Sequence, residues 1–239
     1  MASNFSLTTF ANDGKLEQVN NALTAANNGE TAIGFKTKDG IILACEKYLS
    51  SVLIDETSFQ KINNVSKFIG STYAGLGPDF KVLLKKSRKD FQQYKLTFID
   101  ELMPIHSISR EVANLMQEYT QSGGVRPFGV SLFIAGCDRD GNHLYQVDPS
   151  GAYYGINKFF NFLELKAGAI GKNRAKALQN LEKRFKDGLS LDDGLAIVIS
   201  TLREGYDGEI TENNIELAIL KSTGFELLTP EQIKNYLRE

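Results

Sequence analysis

The chain runs through the same order of elements twice, and that repetition limits its fold more than any single motif does. Apolar runs at 31–36 and 41–46 are joined by Lys38-Asp39-Gly40, and Asp-Gly between two such runs signals a hairpin. Strand-like runs follow at 51–54, 62–69 and 71–74. Pro78, well placed for a first turn, opens a helical-period pattern of Phe80, Leu83, Leu84, Phe91 and Tyr94. From about Ser107 a second pattern, Ile108, Val112, Leu115, Met116 and Tyr119, runs to Gly123-Gly124.

The order then recurs. Phe128, Val130, Leu132 and Ile134 alternate, Asp138-Arg139-Asp140-Gly141 turns the chain, and 144–147 and 152–156 read as partner strands around Pro149-Ser150-Gly151. Helices are predicted over 171–186 (Ala175, Leu178, Leu181, Phe185) and from Ser190 (Leu191, Leu195, Val198, Leu202), with Asp193 three residues into the second. A strand at 215–220 precedes Thr229-Pro230-Glu231-Gln232, a capping box that opens a short last helix. Hairpins imply antiparallel sheets, and adjacent helix pairs imply a layer over one sheet face. The reading is α/β of the α+β type: a four-layer αββα sandwich of two antiparallel sheets flanked by helix pairs.

One helix has no place in that sandwich. Leu16, Val19, Leu23 and Ala26 predict a helix over 15–28, ended by Asn27-Asn28-Gly29. Its stripe is diluted by Asn20, Asn21, Asn27 and Asn28, so it is expected to pack against something other than its own domain. Residues 1–14 read as an N-terminal tail and 15–239 as a single domain, within reach of a 239-residue chain.

Composition removes whole classes of function. With 42% hydrophobic and 23% charged residues the chain is an ordinary globular protein. Lys and Arg number 27 against 29 Asp and Glu, a net charge of −2, so no basic field exists to hold a nucleic acid. No run of 18 apolar residues occurs, and Met1-Ala2-Ser3-Asn4-Phe5 lacks the basic and apolar parts of a secretory signal. No membrane partner is expected, and the chain is expected to be intracellular. Cys45 and Cys137 each lie in an apolar run and are expected to be reduced, buried and inert.

Site signatures fail in turn. His106 and His143 lie on different elements without a ligand at metal spacing, so no metal is expected. Gly168-Ala169-Ile170-Gly171-Lys172-Asn173 lacks the spacing and the magnesium-binding hydroxyl of a phosphate loop and reads as a loop entering a helix. Asp138-Arg139-Asp140-Gly141-Asn142 has His143 where a calcium loop needs glycine, and a hairpin turn explains it. Gly75-Leu76-Gly77 lacks the third glycine of a dinucleotide fingerprint, and Asp192 and Asp193 diverge on a helix. No cofactor is expected. Lys81, Lys85, Lys86, Arg88, Lys89 and Lys95 make one helix face basic, either a solvated face or a contact for an acidic protein surface.

The stretch Met116-Gln117-Glu118-Tyr119-Thr120-Gln121-Ser122-Gly123-Gly124-Val125-Arg126-Pro127-Phe128-Gly129-Val130-Ser131-Leu132 resembles the alpha-type subunits of the eukaryotic 20S proteasome core particle, and within them most the subfamily of second alpha-type subunits. Further matches are Phe5-Ser6-Leu7-Thr8-Thr9-Phe10, Gly75-Leu76-Gly77-Pro78-Asp79, Asp148-Pro149-Ser150-Gly151-Ala152-Tyr153, Leu181-Glu182-Lys183-Arg184 and Asn214-Ile215-Glu216. The resemblance implies the fold of N-terminal-nucleophile hydrolases, with an extra N-terminal helix on the ring's outer face that would house the helix at 15–28.

It also implies that catalysis is absent. Active beta-type relatives use an N-terminal threonine whose own amine helps activate the hydroxyl, assisted by an aspartate and a lysine. Matching Gly40 to the glycine of the family's first hairpin puts Glu30 at the nucleophile, Thr31 just after it, Glu46 at the aspartate and Lys61 close to the lysine. The expected function is a non-catalytic alpha-ring subunit. The alternative is a threonine hydrolase processed after Glu30, and a third reading is a free-standing binding module.

Further expectations come from the family. Partners are other alpha subunits in a seven-membered ring, a beta ring below, and a regulatory particle or other activators, in ATP- and ubiquitin-dependent protein degradation in cytoplasm and nucleus. Ser3, Asn4 and Phe5 stand at the altered gate motif of the mobile tail. Leu16 and Val19, with the 123–127 segment, are expected near ring contacts. Activator C-terminal tails are expected to dock at Lys61, with Gly29 permitting close backbone approach and Leu76 as apolar wall. The family's Phe-Ser-Pro-x-Gly-Arg-Leu appears as Phe10-Ala11-Asn12-Asp13-Gly14-Lys15-Leu16. The stretch Lys158-Phe159-Phe160-Asn161-Phe162-Leu163-Glu164-Leu165 matches nothing in the family and is either a longer hairpin or an apolar contact surface.

Overall fold

A computed structural model describes residues 10–12, 14–48, 53, 59–99, 102–154, 165–206 and 208–238. In chain order the elements are α1 (Glu17–Asn27), β1 (Ala32–Lys36), β2 (Ile41–Glu46), β3 (Asn63–Ser66), β4 (Ile69–Gly75), α2 (Gly77–Phe98) and α3 (Ile105–Gln121). The second half gives β5 (Val130–Asp138), β6 (Gly141–Val147), β7 (Tyr153–Tyr154), β8 (Ala167–Ile170), α4 (Arg174–Arg184), α5 (Leu191–Gly205), β9 (Ile215–Lys221), β10 (Gly224–Leu227) and α6 (Pro230–Arg238).

The Asp-Gly turn closes the first hairpin as its residues dictate. β1 and β2 pair antiparallel from Ala32↔Cys45 to Lys36↔Ile41, and the Thr37 hydroxyl donates to Gly40 O at 3.0 Å while accepting from Gly40 N. Two antiparallel sheets result, ordered β10-β9-β2-β1-β8 and β3-β4-β5-β6-β7. Caps set the later helices where the sequence places them. The Ser190 side chain accepts from Asp193 N ahead of α5, and Thr229 and Gln232 exchange bonds ahead of α6.

Side-chain alternation divides each central strand between two cores. On β2, Ile42 and Ala44 join Leu195, Val198 and Leu202 of α5, while Ile41, Leu43 and Cys45 face the other sheet. On β5, Leu132 and Ile134 meet Ile108, Val112 and Met116 of α3, while Phe133 and Ala135 face Leu43 and Leu144. With both faces buried, such strands read as continuous apolar runs rather than alternating ones. These three cores give the predicted four layers: α2 and α3, one sheet, the other sheet, α4 and α5.

Several boundaries need correction. The run at 62–69 is two strands, β3 and the start of β4, broken by a turn at Lys67-Phe68. The segment read as a loop from Gly168 begins as β8, whose Gly168 pairs with Gly34 of β1. A strand reading Ala-Gly-Ala-Ile carries only one β-branched residue of the signal that sequence reading relies on. β10, at the sheet edge, is likewise absent from the sequence reading. Of the run at 51–54 only Leu53 is described, and 152–156 is described as far as Tyr154; 158–164 of the phenylalanine-rich stretch lies outside the described residues.

Helix α1 packs against its own chain, contrary to expectation. It lies on β4 and β5 and buries Val19, Ala22 and Ala26. Small residues suffice because three glycines bring the backbones together. A Cβ on Gly29 would lie 2.0 Å from Gly75 N, and one on Gly75 would lie 2.3 Å from Gly129 O. Among the described residues no helix is long and apolar enough to cross a membrane.

Candidate functional site

Lys61, ahead of β3, is a lysine buried to 4% exposure, so its ammonium must be satisfied from within. Its Nζ donates to Glu46 O at 3.0 Å and Glu30 O at 3.3 Å, and stands 5.5 Å from the centroid of the Tyr73 ring. Its main chain is held as firmly. Lys61 N and Ile62 N both donate to Glu216 Oε2 at 2.9 Å, and Glu216 Oε1 pairs with Lys47 Nζ at 3.5 Å. β2 and β9 thereby position a residue that lies on neither.

The residues that the family match sets at the catalytic positions surround this lysine. Glu46, at the end of β2, takes Thr31 N on its Oε2 at 3.2 Å. Thr31 N is therefore a peptide nitrogen engaged as a donor, not a free amine. Lys172, beyond β8, places Nζ 2.7 Å from Glu30 Oε2 and 3.8 Å from Glu46 Oε2. Gly171 makes that approach possible: it has φ of 96°, and a Cβ there would meet Gly29 O at 2.7 Å and Glu30 O at 2.9 Å.

Burial governs the titrations. It pushes the Glu46 carboxyl above its ordinary value, a push that Thr31 and then Lys172 oppose and that the nearby Glu30 side chain adds to. Burial likewise raises the Cys45 thiol to about 12. Beside the site, Asp79 in the first turn of α2 accepts from Arg126 at 2.7 and 2.8 Å and from Gly129 N at 2.9 Å. Burial alone would raise its carboxyl, yet these donors hold it below the usual range.

Gly29, Lys61 and Leu76 come together as one neighbourhood. Gly29 immediately precedes the carbonyl partner of Lys61 and rests on Gly75, and the next residue, Leu76, is 44% exposed beside Gly129. Val19 is buried within its own chain and Leu16 is half-buried just ahead of α1. Ser3, Asn4 and Phe5 lie outside the described residues. Lys172, Glu216 and Tyr73 carry no role in the sequence reading. Lys172 is visible there only as the lysine of the failed phosphate loop.

The remaining candidates resolve as structure. His143 pairs with Asp138 at 3.0 Å and His106 Nε2 lies 3.4 Å from the Tyr153 hydroxyl, both rings flanking Tyr145. Among the described residues no group of His, Cys, Asp and Glu could hold a metal ion. Cys137 is half-buried rather than buried, because it sits near the end of β5 where the sheet leaves the core. On α2, Lys86 pairs with Asp90 and Arg88 donates to Asn64 O, leaving Lys81, Lys85, Lys89 and Lys95 exposed.

Comparison with known proteins identifies the architecture. The family model described as "Proteasome subunit" matches residues 26–220. A rice (Oryza sativa subsp. japonica) protein named proteasome subunit alpha type-2 is 50% identical over 236 residues, covering 98% of this chain and 96% of the relative. Its Dictyostelium discoideum and Caenorhabditis elegans namesakes are 50% and 47% identical, each over 98% of this chain and 96% of their own length. A family model over most of the chain, and relatives of alpha type over 98% of it, leave one assignment: the chain belongs to the proteasome subunit family, among its alpha-type members.

Proposed function

We propose that the chain is a non-catalytic subunit of the alpha ring of the 20S core particle. It joins other alpha subunits in a seven-membered ring above a beta ring, and works in cytoplasm and nucleus. The observation that carries the absence of catalysis is Glu30 at the nucleophile position, continuous through Gly29 with α1. A threonine nucleophile needs a free amine within reach of its own hydroxyl. Here Thr31 N is spent on Glu46, and two carbonyls take donors of Lys61 Nζ.

What remains is geometry. Residues 1–14 serve as gate tail, Ser3, Asn4 and Phe5 standing in its motif; Leu16 and Val19 lie near the ring contact; and Lys61, Gly29 and Leu76 form a pocket for the terminal carboxylate of an activator tail. Ring contacts are heterologous, one face meeting a different face of its neighbour, so the chain has no self-complementary dimer to form. Intact mass and N-terminal sequencing of the subunit from the native particle test the reading. A full-length chain in a complex with other alpha and beta subunits is expected. A chain beginning at Glu30 or Thr31 would overturn it in favour of a hydrolase, and a stable free monomer in favour of a binding module.

A further inference from the structure

Solvent does not reach the two lysines of this site equally. Lys61 is 4% exposed and spends two of its three N–H donors on main-chain carbonyls, so it offers a ligand one N–H from inside the fold. The Lys172 side chain is 37% exposed. It is the cation that an arriving anion meets first.

Main-chain contacts set Lys172 in place. Its N donates to Gly29 O at 2.8 Å, and Gly171 before it has φ of 96°, where a Cβ would meet Gly29 O at 2.7 Å and Glu30 O at 2.9 Å. The connection from β8 to α4 is thereby fastened to the connection from α1 to β1. Lys61 bonds the same connection through Glu30 O, so both cations are anchored beside one residue.

The Lys172 ammonium already carries a carboxylate. Glu30 Oε2 lies 2.7 Å from Nζ on a side chain 28% exposed, whereas Glu46 Oε2 stands 3.8 Å away on a residue 1% exposed. Of the two acids, only Glu30 has water to turn into. An ion pair this exposed contributes little, because water solvates both partners when they part. Exchanging the Glu30 carboxylate for another one keeps the charge balance at Lys172 and is cheap.

We propose that Lys172 reads the terminal carboxylate of a docking tail, and that the Glu30 side chain is a tethered competitor seated on Lys172 until a tail displaces it. One ion pair replaces another, with no covalent step and no proton moved. Gly29, with no side chain, and Leu76, 44% exposed, lie in the same neighbourhood, so a chain end laid along them brings its carboxylate to this pair. An amidated chain end has no charge to exchange and gains nothing from Lys172. The inference rests on tail docking at Lys61 and deepens it, since it assigns recognition of the charge to a residue outside that pocket set.

The test uses assembled particles and a synthetic activator-tail peptide with a photoreactive group beside its C-terminus, made with a free carboxylate and as the amide. Only crosslinks to this subunit are counted, by mass, so other pockets of the ring do not contribute. In the wild type the carboxylate form should half-saturate at a lower concentration than the amide. Lys172→Gln should raise half-saturation by the carboxylate form roughly fivefold, Lys172→Arg should keep the wild-type preference, and Glu30→Gln should lower half-saturation roughly threefold. An unchanged carboxylate preference in Lys172→Gln overturns the assignment, and an unchanged half-saturation in Glu30→Gln overturns the competition. Lys61→Ala separates this inference from the docking reading beneath it. Crosslinking weakened in Lys61→Ala, with the preference intact in Lys172→Gln, leaves docking standing and removes Lys172 from it; no crosslink to this subunit in the wild type refutes both.

Discussion

Replacing Asp79 with alanine removes three hydrogen bonds together, and the structure assigns them very different weights. Two come from Arg126, whose side chain is 60% exposed, so that ion pair contributes at most about 1 kcal/mol. The third comes from Gly129 N, a buried donor that water does not reach once the carboxylate is gone, at a cost of about 1–3 kcal/mol. Asp79 also lies in the first turn of α2, where a negative charge adds about 0.3–1 kcal/mol. Asp79→Ala should therefore cost about 2–4 kcal/mol, and Arg126→Ala under about 1 kcal/mol. The chain has no tryptophan, so urea unfolding followed by far-ultraviolet circular dichroism is the assay. Because the Asp79 carboxyl is held below its ordinary value, its contribution is present above the unfolded carboxyl range and is lost as pH falls through the folded value. Asp79→Ala should flatten that acid limb. Equal costs for the two variants, or an Asp79→Ala loss below about 1 kcal/mol, would refute the assignment of weight to Gly129 N.

Other outcomes follow from close contacts and burial. Gly29→Ala drives a Cβ to 2.0 Å from Gly75 N, where only backbone could yield, so a loss of about 3 kcal/mol or more is expected; hydrogen exchange should rise first across α1 and leave β2 protected. Cys45, buried and raised to about 12, should resist alkylation in the folded chain while Cys137 reacts; prompt labelling of Cys45 would contradict its place between the sheets. Deleting residues 2–10 should raise basal peptide hydrolysis by the assembled particle modestly, and a fall in that rate would count against a gate role for the tail.

The fold was legible wherever one period dominated. The paired helices and the Asp-Gly hairpin announce themselves because Phe80, Leu83 and Leu84, or Ile41 to Cys45, carry their pattern locally. β8 did not, since Ala167-Gly168-Ala169 owes its strand to pairing with β1, a contact distant in sequence. The placement of α1 was misread for a related reason. Its stripe of Val19, Ala22 and Ala26 is weak by side-chain size, and the close approach that makes small residues sufficient comes from Gly29, Gly75 and Gly129, which are scattered along the chain. Of the site, Lys61, Glu30 and Glu46 came only through family resemblance. Glu216 and Lys172 stood in quoted motifs without a site role, and a carboxylate that caps a segment 154 residues away leaves no local signal of doing so.

Lys61 shows how a buried lysine is held without a counter-ion in direct contact. A buried ammonium with no partner is strongly disfavoured, so the cation needs acceptors. Here the chain supplies its own, the carbonyls of Glu30 and Glu46, which join the start of β1 to the end of β2. That arrangement gives the lysine a structural role. A neutral hydrogen bond contributes about 0.5–1.5 kcal/mol and one to a charged group about 1.5–3 kcal/mol; both present bonds already involve the ammonium. An ammonium carries three N–H donors and two are engaged here, so a carboxylate in the proposed pocket adds a contact without requiring either carbonyl to be released. If Lys61 docks a tail as proposed, one pocket supplies one such contact, and affinity grows when several around a ring are engaged by linked tails.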